Sequence, residues 1–131
     1  MLDKVKELLS RDLFAHASHL KMIEEYADCM EIKLFEQENS WGIVMLIPVS
    51  ASSFDTEIYP EAEFIVYLAA SDNQTIPQLL KEIPRDKDLV FKIHKPVFKD
   101  AIEKEFPSPG NGHIYHIHAG ISMIPKSYPL L

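Results

Sequence analysis

The chain has one cysteine, one tryptophan and four glycines in 131 residues. With Cys29 alone there is no intramolecular disulfide framework, and this usage suits a reducing compartment. Cys29 stands close to Ala27 and Met30, which predicts a small packed side chain, and no His–acid pair marks it as a nucleophile. Long apolar runs are also missing. The longest, Ile43–Val49, falls far short of the ~20 residues of a membrane helix. Positive charge is absent between Leu34 and Leu80, where seven acids lie without a single Lys or Arg. Over the whole chain 13 basic residues face 20 acidic ones, a net charge of −7. That balance argues against a general electrostatic grip on nucleic-acid phosphates. The acidic stretch reads as a solvated loop face, or as a rim for a cationic amine or basic partner. Motifs with a known mechanism are missing too: no Walker loop, no dinucleotide glycine fingerprint and no Gly-x-Ser-x-Gly elbow.

What is present describes one folded domain spanning 1–131. Hydrophobic residues make up 47% and charged residues 25%, and a chain of this length buries a core without metal or disulfide staples. Near the N-terminus, Asp3, Lys4, Lys6 and Glu7 interrupt any signal-peptide core, so the expected location is cytoplasmic.

Leu2, Val5, Leu8 and Leu9 recur at helical spacing and predict a first helix. Ser10 and Asp12 are N-cap candidates for a second, over Leu13–Ala27, with Leu13, Ala17, Leu20, Ile23 and Ala27 as its apolar stripe. Met30–Phe35 alternates with period two. Gly42–Val49 is almost wholly apolar, as in a strand covered on both faces. After a polar loop over Ser50–Pro60, Glu61–Ala70 is the third strand of an antiparallel meander. A helix over Thr75–Ile83, a strand over Asp88–His94, a helix over Pro96–Phe106 and a last strand over His113–Ile124 follow. The expected class is α/β (α+β): a mixed, mainly antiparallel central sheet flanked by helices, with crossover connections in its second half.

This order resembles the GNAT acetyltransferase superfamily, in which two helices, an antiparallel meander and alternating helices and strands build the fold. Ser10-Arg11-Asp12-Leu13-Phe14 ahead of an amphipathic helix and a hairpin is similar to the start of some N-terminal GNAT-like domains. The resemblance implies an N-acyltransferase relative with acyl-CoA as cofactor. In the family, the third meander strand leads into a pyrophosphate loop of the form Arg/Gln-x-x-Gly-x-Gly/Ala, whose N–H groups meet the cofactor's phosphates. Here the matching segment, Ala69-Ala70-Ser71-Asp72-Asn73-Gln74-Thr75, has no glycine and no arginine, and Asp72 sets a negative charge beside a negative diphosphate. Ser71, Asn73 and Thr75 remain as cofactor-binding candidates. The helix over Pro96–Phe106 lacks the tyrosine that the family often uses as an acid. Glu61 and Glu63 lie where a family base sits. The resemblance therefore implies a degenerate GNAT-like domain, acting as a small-molecule-binding or protein-pairing module. The alternatives are an atypical acyl-CoA N-acyltransferase and a homodimer paired through a free edge strand.

The histidines are a separate signal. In His113-Ile114-Tyr115-His116-Ile117-His118, His116 and His118 share one strand face, and His94 at the end of the neighbouring strand is a candidate third ligand for zinc. Ordinary partly exposed strand histidines are the competing reading. His16 and His19, one helical turn apart, read as packed or boundary residues and, alternatively, as a ligand pair.

Overall fold

A computed structural model of the chain describes residues 1–106 and 115–118. The expected tight loop over Pro107–Gly112, His113 and everything after His118 lie outside the described residues.

Helices α1 (Leu2–Ser10) and α2 (Leu13–Tyr26) come first. Strands β1 (Glu31–Gln37) and β2 (Ser40–Pro48) form a hairpin; a short helix α3 (Ser53–Ile58) then leads to β3 (Phe64–Ala70). Next come α4 (Ile76–Leu80), β4 (Leu89–Lys92), α5 (Pro96–Glu105) and β5 (Tyr115–His118). The five strands lie in the order β1-β2-β3-β4-β5. The first three are antiparallel over seven register pairs at each interface, whereas β3–β4 and β4–β5 are parallel over four. The sheet is thus mixed and mainly antiparallel, as the texture of the sequence predicts.

Period-two alternation sorts the strand residues into two cores. Val44, Leu46, Val66, Leu68 and Phe91 face α4 and α5, which bring Leu79, Leu80, Phe98 and Ile102. Ile43, Met45, Ile47, Ile65, Tyr67 and Val90 face the other way, against Val5, Leu8, Leu9 and Ile23. Both faces of β2 and β3 are covered, which explains their near-continuous apolar runs. Gly42 is needed for close approach: a Cβ there meets Leu79 Cδ2 at 2.6 Å and Thr75 Cγ2 at 2.9 Å. Its missing side chain lets α4 lie directly on β2.

Several expectations are corrected. The polar loop over Ser50–Pro60 contains a 3-10 turn, Val49–Ala51, and α3, whose start is capped by Ser52 Oγ accepting from Asp55 N at 3.2 Å. The third strand starts at Phe64, not Glu61, because Ala62 N still bonds back to Tyr59 O in a turn. The strand expected over Asp88–His94 is limited to Leu89–Lys92. The helix expected over Thr75–Ile83 is a 3-10 turn, Asn73–Thr75, followed by the five residues of α4. Cys29 is exposed rather than packed.

The largest correction concerns α2. Asp12 caps it, accepting from Ala15 N at 3.1 Å. The helix then kinks at His16, where φ is −114° and ψ is 20°. A kink breaks the phase of the helical stripe, so the predicted apolar face does not run straight through. Leu13 is 60% exposed, Ala17 and Ala27 are exposed, and the buried positions are His16, His19 and Ile23.

Candidate functional site

The kinked α2 lays two imidazoles against the sheet where β3 and β4 part. Their last register pair is Tyr67 with Lys92. Ser71 N bonds to Trp41 O and Phe64 N to Asp88 O. This parity turns the odd residues of β3 toward β2 and the even ones toward β4. The carbonyl of Leu68 therefore faces β4 one residue past the end of the ladder, and it needs a donor. His19 supplies it: Nε2 lies 2.8 Å from Leu68 O. His16 makes the matching contact on the helical side, with Nδ1 3.1 Å from Leu9 O.

His94, two residues beyond β4, completes the group. Ring centroids are 5.2 Å apart for His16–His19, 5.3 Å for His16–His94 and 4.9 Å for His19–His94. Trp41, Tyr67 and Phe98 border the cluster edge-on or tilted, Trp41 against His16, Tyr67 against His19 and Phe98 against His94. His16 and His19 are buried and His94 is half-buried.

A carbonyl only accepts, so each contact fixes a tautomer: His16 carries its proton on Nδ1 and His19 on Nε2. In a neutral ring the other nitrogen is then a lone pair. Burial lowers the pKa of all three rings, of His19 to about 3 and of His94 to about 4, so they are neutral at pH 7. Among the described residues, His19 Nδ1 and His94 Nδ1 are buried with no hydrogen-bond partner. Buried polar nitrogens without partners are uncommon in folded proteins, and two that meet in one cluster identify this crevice as the candidate site. The carboxyl ends of adjacent parallel strands, where it lies, are also a usual place for ligands in open α/β sheets.

The residues singled out in the sequence fall elsewhere or are already engaged. Asp72 Oδ1 accepts from Thr75 N at 3.0 Å and from Thr75 Oγ1 at 2.9 Å, and Asp72 Oδ2 accepts from Ser40 Oγ at 2.8 Å. These bonds, Ser40's first, hold its carboxyl below the usual range, so it is charged. Ser71 Oγ accepts from Trp41 N at 2.8 Å. The two hydroxyls expected to help a cofactor's phosphates thus serve the chain itself, and Thr75 is buried. Asn73 lies on the rim of an apolar groove of about 280 Å³ between α4 and α5. Glu61 and Glu63 are exposed at the opposite end of β3 from the histidines, and Glu63 pairs with Lys87 at 3.7 Å.

His116 and His118 do share a strand face and both are exposed. The Tyr59 hydroxyl lies 3.0 Å from His118 Nδ1, and its ring is 6.2 Å from that of His116. Nearby, Lys92 Nζ donates to Asp55 Oδ1 at 3.0 Å. His94's ring contacts are with His16, His19 and Phe98. Among the described residues no group of three His, Cys, Asp or Glu side chains is placed to hold a metal ion. His16 and His19 were visible at helical spacing and His94 at a strand end. The clue that joins them is the phase His16, His19, Ile23, which becomes legible only with the kink in place.

The chain matches no family model, no curated protein and no solved structure. The site therefore rests on its own geometry.

Proposed function

We propose that the chain is a GNAT-like domain without standard acyl-CoA chemistry, acting as a binding module whose ligand site is the histidine crevice. One observation carries the reading: the groups that an acyl-CoA needs at the end of β3 are occupied from within. Asp72 satisfies the donors of Thr75. A five-residue α4 offers little helix dipole to a diphosphate. His19 fills the gap beside Leu68, where a cofactor inserted between the strands would have to bond. Binding is favoured over catalysis because His16 and His19 are buried and each already spends a ring nitrogen on a backbone carbonyl.

The test is a thermal-shift titration with acetyl-CoA, coupled to an acyl-transfer assay on simple amines. The expected result is no saturable shift and no transfer. A saturable shift accompanied by turnover overturns the reading in favour of an atypical N-acyltransferase.

A further inference from the structure

We infer that the outer edge of β1 is a dimerisation surface, on which a second copy of this chain adds its own β1 antiparallel across a two-fold axis. The inference is independent of the histidine crevice.

Parity defines the edge. β1 stands first in the strand order, with β2 on one side only. Trp41 N donates to Ser71 Oγ and Trp41 O accepts from Ser71 N, so the odd residues of β2 turn toward β3. The even ones turn toward β1, where Gly42, Val44 and Leu46 face Phe35, Lys33 and Glu31. The main-chain groups of Ile32, Leu34 and Glu36 therefore point outward, and among the described residues they have no backbone partner.

Proteins usually block such an edge with proline, a bulge or charges that project past the strand. β1 has no proline and pairs with β2 in an unbroken register. Its charges are drawn back onto its own flanks. Lys33 Nζ donates to Glu82 O at 2.9 Å and lies 3.8 Å from Glu31 Oε2, and Glu36 Oε2 is 3.6 Å from Lys4 Nζ on α1. Ile32, Leu34 and Phe35 are only half-buried.

A second copy is favoured as the occupant because the edge complements itself. A two-fold axis perpendicular to the sheet keeps each face on its own side, so opposed residues share parity. Centred on Leu34, the axis sets Ile32 against Glu36 of the second copy, Leu34 against Leu34, and Glu36 against Ile32. Each of these pairs exchanges two N–H···O bonds, so every outward group of the three residues is used. No like charges stand directly opposite: Glu31 meets Gln37 and Lys33 meets Phe35. Centring on Lys33 sets Lys33 against itself, and centring on Phe35 leaves Ile32 opposite Glu38, beyond the end of the strand. Three half-buried apolar side chains per copy make a small interface, so the expected dimer is reversible.

The test is sedimentation velocity of the full chain with reductant, which keeps the exposed Cys29 thiol free, over a wide range of protein concentration. The expected result is a reversible monomer–dimer equilibrium. Glu36→Pro removes an outward N–H that β2 does not use, once in each copy, and should weaken the dimer at least about tenfold. Glu36→Ala loses the same carboxylate but keeps the N–H and should leave the dimer unchanged. Far-UV circular dichroism checks the fold of both variants. Where Glu36→Pro fails to fold, amide exchange of the unaltered chain decides: the amides of Ile32, Leu34 and Glu36 should slow as concentration rises, while those of Lys33 and Phe35 stay protected throughout. A chain that stays monomeric overturns the proposal and leaves the edge to a strand of another protein. So does a dimer that survives a folded Glu36→Pro, a dimer lost in Glu36→Ala, or exchange at Ile32, Leu34 and Glu36 that ignores concentration.

Discussion

The two faces of the sheet are built on different principles. Against α4 and α5 the core is all hydrocarbon and aromatic ring, from Val44 and Leu68 to Phe91, Phe98 and Phe106. Against α1 and α2 an apolar core of similar size is interrupted at its upper end by His16, His19 and the Tyr67 ring. The first face needs only complementary volume. The second keeps polar nitrogens in a dry place, two of them without a partner among the described residues, at a cost in desolvation that an all-apolar packing avoids. One sheet thus carries a face that stabilises and a face that holds a site.

The largest expected effect tests the first face. Phe91 is fully buried and stacks edge-on against Phe106 with ring centroids 5.2 Å apart. Phe91→Ala should cost about 3–5 kcal/mol of unfolding free energy, read by urea denaturation. Because no titrating group is removed, the loss should be the same at pH 5 and pH 8. A loss that changes with pH would break the division between the faces.

The second face should answer to pH instead. Unfolded imidazoles bind protons below about pH 6.5, whereas folded His19 and His94 resist to about 3 and about 4. Between those values the unfolded chain binds more protons, so stability rises with pH. It is complete above about pH 6.5 and declines as pH falls toward 4. At pH 5, a His19 kept neutral alone accounts for about 2 kcal/mol of lost stability. Urea melts of the protein at several pH values read the slope. A flat profile between pH 7 and 5 would mean that the imidazoles are not held neutral.

These two expectations also show how much was legible beforehand. The covered strands β2 and β3 announce themselves as unbroken apolar runs, and the crossover halves follow from alternating textures, so the mixed sheet is readable from residues alone. Helix α3 is not, because Ser53–Ile58 is too short and polar to show a period and depends on the Ser52 cap. Nor is the site. His16 and His94 are far apart in the chain, and their meeting depends on a kink that turns the phase of α2 and on the early end of the β3–β4 ladder. Residue types and spacing record neither event. The spacing of His116 and His118, by contrast, is plain in the sequence, and both lie exposed on β5.

Gly42→Ala probes the first face more gently. Its Cβ has to displace Leu79 and Thr75 side-chain atoms at 2.6 and 2.9 Å. Overpacking of this kind should cost about 1–3 kcal/mol. Thr75 also donates to Asp72, so the shift should be accompanied by faster amide exchange at Thr75, read by NMR. An unchanged midpoint would show that α4 can ride away from β2 without loss.

The smallest effect is expected at the edge of the second face. Tyr59→Phe removes a hydroxyl 3.0 Å from His118 Nδ1 and keeps the ring beside His116. Partial burial, with a smaller contribution from Asp55, raises the Tyr59 pKa, so at neutral pH it is a neutral hydroxyl facing an imidazole that water also reaches. A hydrogen bond open to solvent exchanges readily for one to water, and its loss should shift stability by no more than ~0.5 kcal/mol. The measurement is the urea midpoint of the variant beside the parent at pH 7. A loss above about 1 kcal/mol would mean that the α3–β5 seam anchors the sheet edge. The polar nitrogens that matter would then extend beyond the crevice, and the division between a stabilising face and a site-bearing face would have to be redrawn around His118.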